Sequence, residues 1–444
     1  MLSYGTRVRR LALSIGSGSW NKDALTARLI RALDGGPPDP VGLAARLMFH
    51  FDDVAAPSRV RLIAFLRADE PLFQAFSGAG DSPTDGPVPR LLLDPSVMAP
   101  LPARLLTLPL PQLPTCKDLR LWLGLFDHEL TWFADRAGRQ AGVTEPRLHH
   151  YRYRWIAKSA GRQRLIEIPK ARLKAVQRQI LHQLLDRVPA HPSAHGFRRH
   201  HSCLSYVAPH VGKAVVLHMD LRDFFHSVPV PRIGAMFRRL GYPETVAGAL
   251  QGLCTHAAAP ALLGETYRGL PWETRNRLRH KHLPQGAPTS PAVANLCAWR
   301  LDCRLQGVAE RYGLDYTRYA DDLAFSGSAD LMRLAPFLQG LVGAVAAEEG
   351  FAVNHHKTCL NTRAQRQRLA GIVINRRPNP DRREYDRLKA TLYNCVRFGP
   401  HSQNRAGHPN FRAHLLGRVA HVAWLNPVRA ERLETLLDQI PWGD

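Results

Sequence analysis

The chain has 444 residues, 45% of them apolar, with 60 Lys+Arg against 37 Asp+Glu, a formal net charge of +23 and a pI near 10.4. That is enough for one large multi-lobed body plus an extra domain with a substantial core, and no run approaches the roughly 18–20 uncharged apolar residues of a membrane span. Residues 1–115 carry a net charge of +2 and the remainder +21, so a polyanion-binding body is expected beyond residue 115.

Along the chain, the first twenty residues place basic side chains before an apolar run too brief and polar for a signal peptide; a cytoplasmic protein with no membrane partner is expected. Residues 21–80 repeat apolar positions at three- and four-residue spacing, punctuated by Pro and Gly, and predict a helical accessory domain over 1–80. Residues 81–115 hold nine prolines and read as a linker or extended strap, with a domain boundary there. Residues 116–140 predict an amphipathic helical pair. From about 150 short strands and helices mix in an α+β pattern, and 381–444 reads as helical and basic. The seven cysteines are scattered with no C-x-x-C pair, which argues against a zinc site or a disulfide framework and for reduced structural thiols. The HH pairs at 149–150, 200–201 and 355–356 lack further ligands at metal spacing and read as surface or RNA-facing histidines.

Three stretches carry chemistry. "VVLHMDLRDFFHSV" (215–228) is a β-branched run ending in Asp220, followed by Asp223, Phe224 and Phe225. "HLPQGAPTSPAVANL" (282–296) is a Pro/Gly-rich turn running into a helix, and "TRYADDLAFSG" (317–327) sets Asp321 beside Asp322 between strand-formers. An Asp-Asp pair in a turn is usually only solvated, and Asp220 alone could cap a helix. Together, a carboxylate at one strand end and a pair in a neighbouring hairpin can converge on hard divalent cations, which want oxygen ligands and relieve the repulsion between adjacent carboxylates.

The ordered set resembles the reverse transcriptases, and specifically the bacterial retron type. Asp220 with "DLRDFFHSV" resembles motif A, "LPQGAPTSP" motif B, "YADD" motif C, and residues 354–375 motif D plus the primer grip. Residues 151–181 resemble the fingers segment, "AHGFRRHHSCLSYV" the next block and "LLGRVAHVAWLNP" the thumb. The resemblance implies a right-hand polymerase with fingers and an antiparallel palm over 116–380, a helical thumb over 381–444 and an N-terminal helical extension. It implies two Mg²⁺ held by Asp220, Asp321, Asp322 and the Leu221 carbonyl, with Lys357 as proton donor to pyrophosphate. It implies dNTP contacts from Lys158, Arg164, Asp223, Phe224, Phe225, Gln285 and Gly286. By position in the motif Phe225 would be the sugar gate, and of the neighbours Phe224 and Phe225 only one is expected to face the pocket. Nucleic-acid contacts are implied for His195, Gly196, Phe197, Arg198, Arg199 and Gly371.

The implied partners are an RNA template and primer of structured non-coding RNA, the DNA product, dNTPs and an effector protein in anti-phage defence. Two signatures of many retron enzymes are altered: no Asn-Ala-x-x-His stands in the lengthened stretch between motifs A and B, and Leu369-Ala370-Gly371 replaces Val-Thr-Gly. A non-retron bacterial reverse transcriptase without branched RNA priming is therefore the competing expectation. A silent RNA-binding scaffold is opposed by the intact aspartates.

Overall fold

The computed structural model describes residues 3–16, 20–34, 36–51, 57–77, 88–90, 97–143, 145–157 and 163–442, and the chain divides into two compact units, Met1–Val97 and Met98–Asp444.

In the first unit five helices, Tyr4–Ile15, Lys22–Leu33, Pro40–His50, Arg59–Ala68 and Glu70–Ser77, bury the spaced apolar positions read from the sequence, among them Leu25, Leu29, Leu43 and Leu47. Their starts are set by side-chain caps: Asn21, Asp39 and Ser58 accept from amides of the first turns. The basic N-terminal segment joins this bundle. Val8, Leu11 and Ile15 enter the core, and Arg7 is 1% exposed with its guanidinium on the Phe76 carbonyl at 2.7 Å.

The unit boundary falls inside the proline-rich stretch, and the second half of that stretch is no free linker. Ala99 donates to the Gly241 carbonyl at 2.8 Å, and Leu110 and Leu113 lie in the core of the larger unit. Closely spaced prolines hold a chain extended without internal hydrogen bonds, which suits a strap laid along a packed surface.

The larger unit is α+β. A hairpin of β1 (Tyr151–Ala157) and β2 (Gln163–Pro169) stands apart from a four-stranded antiparallel sheet made of β3 (Val215–Asp220), β4 (Asp315–Tyr319), β5 (Asp322–Gly327) and β6 (Cys359–Thr362), in the order β4-β5-β3-β6. β3 reads almost continuously apolar because both faces are covered: Leu217 and Met219 join the main core, while Val216 packs with Ala324, Tyr206 and Ile374. The lengthened stretch after motif A's helices folds back as helices Gly264–Arg268 and Trp272–Arg279. Leu263, Tyr267 and Leu278 pack on Leu165, and Trp155 Nε1 donates to the Leu263 carbonyl at 3.1 Å, so this segment buttresses the β1–β2 hairpin.

The helix Leu331–Glu348 is long and apolar enough, by length and composition, to cross a membrane, with a mean hydropathy of 1.2. Its residues Leu331, Leu338, Val342 and Val345 pack into the main core. Helices Arg382–Phe398, Phe411–Leu425 and Pro427–Asp438 build a separate small core around Leu388, Leu392, Leu415 and Leu433.

Candidate active site

Asp220 and Asp322 are register partners across β3 and β5, and directly opposed residues in an antiparallel pair point to the same face. Asp321 stands in the two-residue turn between β4 and β5, opened by Ala320 at φ 57°, and its carbonyl accepts the Leu221 amide at 2.8 Å. Three carboxylates are thereby brought to one sheet edge. Burial, and then the Asp322 and Asp220 charges, push the Asp321 pKa above the usual carboxylate value. The cationic relief supplied by the protein is partial: Lys357 Nζ sits 2.7 Å from Asp220 Oδ2, and Asp322 Oδ1 has the His218 Nε2 hydrogen bond at 3.0 Å. Asn354 donates to the other Asp220 oxygen at 3.1 Å. An all-oxygen donor set with surplus negative charge fits a hard divalent cation.

What holds the YADD turn was not visible in the sequence. Arg318 is fully buried and forks onto Asp302 at 2.6 and 2.7 Å, while its Nη1 donates to Asn295 Oδ1 and to the Ala320 carbonyl, both at 3.0 Å. Asn295 in turn donates to the Gly196 carbonyl at 2.8 Å. The loop around Gly196 lies against β4: Arg318 donates to Ser193 O at 2.7 Å and His195 to Arg318 O at 2.8 Å. A Cβ on Gly196 would stand 2.7 Å from the Ala320 amide nitrogen. One buried guanidinium therefore joins the motif C turn, the helix after motif B and the "AHGF" loop. An arginine among strand-formers just before the paired aspartates is the signal that could have flagged it.

A cavity of about 180 Å³ adjoins the aspartates, lined by Arg164, Phe197, Asp223, Phe225, Gln285 and Asp321, among others. Phe225 is half-buried at this cavity. Phe224 is 4% exposed, stacks on Phe351 and lies under the Arg318 guanidinium. Arg164 Nε is buried and makes no hydrogen bond, a donor available to an anionic ligand. Lys158 lies outside the described residues. Asp223, in left-handed backbone at φ 51°, pairs with Arg277 at 2.8 Å.

Gln285 and Gly286 form a turn pressed on β2: the Gln285 carbonyl accepts the Glu167 amide at 2.9 Å, and Gly286 sits at φ +133°. A Cβ there would stand 2.7 Å from the Glu167 carbonyl oxygen, so glycine is demanded by backbone meeting backbone. Gly286→Ala is expected to cost about 2–3 kcal/mol in a denaturant titration. An unchanged midpoint would mean that the turn and β2 are not held this close.

The basic loop divides its labour. Arg198 turns inward onto the His191 and Ala194 carbonyls, and burial drops the His195 pKa to about 4, leaving its ring neutral with Nδ1 on Ser205 Oγ at 2.9 Å. The neutral His195 ring is no cation for phosphate, whereas half-buried Arg198 keeps its charge with Nη1 on these two carbonyls. Phe197 and Arg199 remain exposed. Among the histidine pairs, His149 and His150 are buried, 2% and 4% exposed, which corrects their reading as surface residues; apolar neighbours Trp132 and Phe133 enclose His150. Ala370 and Gly371, both at positive φ, make the turn of a small hairpin between Arg368–Leu369 and Ile372–Val373.

A family model described as reverse transcriptase (RNA-dependent DNA polymerase) matches residues 156–382, just over half of the chain. The chain belongs to the reverse transcriptase family. It is similar to the retron Mx65 reverse transcriptase of Myxococcus xanthus, 41% identical over 292 residues, 65% of this chain and 64% of that protein. It is 36% identical to the retron Mx162 reverse transcriptase of the same organism over 60% of this chain and 54% of that protein. To the retron Ec86 reverse transcriptase of Escherichia coli it is 33% identical over 52% and 65%. The chain thus spans under two thirds of the length of each of these relatives. The matched region of this reverse transcriptase contains the three aspartates, Arg164, Phe225, Gln285, Gly286 and Lys357, and also the buried Arg318.

Proposed function

We propose that the chain is an RNA-directed DNA polymerase of retron type. The observation that carries this reading is the meeting of Asp220, Asp321 and Asp322 at one sheet edge, beside a cavity that presents Phe225 and an unpaired Arg164 nitrogen. Read as a right hand, the β1–β2 hairpin belongs to the fingers and the four-stranded sheet to the palm, over 116–380. Helices from 381 onward are the thumb, and residues 1–80 form an accessory domain.

Asp220, Asp321, Asp322 and the Leu221 carbonyl would hold two Mg²⁺. Bound there, the ions would neutralise charge on the attacking primer hydroxyl and the leaving pyrophosphate. Arg164 grips the triphosphate, and the family resemblance gives Lys158 the same role. Gln285 contacts the incoming nucleotide through the turn that Gly286 makes possible. Lys357, already 2.7 Å from Asp220, is near enough to the reacting centre to donate a proton to pyrophosphate. Phe197 and Arg199 meet the template, one by stacking and one by charge, and Gly371 lies where the primer strand passes.

Phe225 occupies the space below the sugar and excludes a 2′-hydroxyl. Phe225→Ala is expected to raise ribonucleotide incorporation relative to deoxynucleotide by about tenfold or more, since ~1.4 kcal/mol of steric discrimination is a factor of ten. If Phe224→Ala shifts the ratio and Phe225→Ala does not, the gate is misassigned.

On this reading the template and primer are a structured non-coding RNA, the product is an RNA-linked single-stranded DNA, and the partner is an effector in phage defence. The altered Leu369-Ala370-Gly371 hairpin and the lengthened stretch 253–286 favour the competing reading, a bacterial reverse transcriptase without branched priming. The deciding experiment extends a primer on an RNA template with dNTPs and Mg²⁺, then sequences the nucleic acid that co-purifies with the full chain. DNA covalently joined to one structured RNA supports the retron type. Extension with unlinked DNA supports the alternative, and no extension overturns both.

A further inference from the structure

Behind the nucleotide cavity, three metal-ligating side chains that are far apart in sequence converge. Glu167 comes from β2, His226 from the short helix Phe224–Ser227, and His282 from the segment that enters the motif B turn. One donor atom from each lies within 4.8 Å of the others. Glu167 and His282 are fully buried, and His226 is nearly so, with 12% of its side chain exposed.

The hydrogen bonding leaves one buried nitrogen of the three residues without a partner. His282 Nδ1 lies 2.7 Å from the His280 carbonyl, which can only accept, so Nδ1 carries the proton. In the neutral ring Nε2 then offers a lone pair, and it faces the Glu167 oxygens at 2.9 and 3.2 Å. Two acceptors at that separation repel unless something positive lies between them. A second proton on His282 would answer that pair alone. It would leave His226 Nε2, which is buried without a hydrogen-bond partner and stands 3.8 Å from the same Glu167 oxygen. A cation among the three donors answers both.

We propose that Glu167, His226 and His282 bind a borderline divalent cation of the zinc class. Two imidazoles and a carboxylate are a zinc donor set, whereas Mg²⁺ takes oxygen ligands, so this position selects differently from the three aspartates. With donors about 2.0–2.1 Å from such an ion, neighbouring donors stand about 2.9–3.4 Å apart; the Glu167–His282 pair at 2.9 Å meets that range, and His226 at 3.8 Å would move inward by about 0.4 Å to bind. The outer contacts suit the role. His280 O orients the His282 ring, and the Gln285 amide donates to Glu167 Oε2 at 3.3 Å. The ion would fasten β2, the residue after Phe225, and the strand-like entry to the Gln285–Gly286 turn at one point. It is a structural ion that fixes the walls of the nucleotide cavity, and it takes no part in the chemistry.

The test uses the full chain purified without metal-affinity resin. Metal analysis is expected to find about one zinc per chain, retained in Asp321→Asn and lost in the Glu167→Gln and His226→Gln variants. Stripping with a zinc chelator should lower the wild-type melting temperature by several degrees, and Co²⁺ added to the stripped protein should give the visible absorption of a nitrogen- and oxygen-ligated ion. Stripped wild-type protein that takes up neither Zn²⁺ nor Co²⁺, with an unmoved melting temperature, would overturn the proposal and leave the pair an imidazolium–carboxylate contact. The wild-type measurements decide the matter even if a variant does not fold.

Discussion

Asp321→Asn and Asp322→Asn should each reduce extension of a DNA primer on an RNA template to background, a loss of at least about a thousandfold, or ~4 kcal/mol of barrier. Either change removes one charged oxygen ligand from a set of three. The same structure says that Asp321→Asn will not unfold the protein. Burial and the Asp322 and Asp220 charges raise the Asp321 pKa, so the native state binds its proton more tightly than the unfolded chain does. Stability from that group is therefore present at low pH and is lost as pH rises through the raised pKa; at neutral pH the ionised carboxylate is a net cost. Without divalent metal, the Asn variant should melt at or above the wild-type temperature while extending nothing. Near wild-type extension by either variant would sink the assignment of the site.

Arg318→Met is expected to fail for the opposite reason. Arg318 and Asp302 are both fully buried and pair through two hydrogen bonds of 2.6 and 2.7 Å. Removing the guanidinium strands a buried carboxylate, at a cost of about 3–5 kcal/mol, and frees the Ala320 carbonyl that anchors the motif C turn. The double variant Arg318→Met/Asp302→Asn removes both charges and should recover much of the stability. Polymerisation should stay depressed in it, because Ala320 and Asn295 have still lost their shared donor. The readouts are a denaturation midpoint and single-turnover extension on the same preparations. A single variant as stable and as active as wild type would show that the hairpin is positioned without this pair.

The sequence by itself determined the family, through the order of its motifs. Motif order survives in a linear string, and Asp220 at a strand end and Asp321–Asp322 in a turn are local features. The α+β pattern of the larger unit and the helices of the first followed from periodicity, which is also local. The tertiary structure decided which side chains share a space. Phe224 and Phe225 are equivalent as neighbours in a string, and the facing of one short helix sends Phe224 into the core against Phe351. Leu110 and Leu113 sit among prolines that promise only extension, and it is the apolar surface beneath them that turns the stretch into a strap. Arg198 reads as an exposed cation in the string, and the fold turns its Nη1 inward onto the His191 and Ala194 carbonyls. Glu167, His226 and His282 are separated by 59 and 56 residues, so no spacing rule could join them. They meet because β2, the helix after motif A and the entry to motif B pack at one corner, where burial leaves His226 Nε2 without a hydrogen-bond partner beside Glu167.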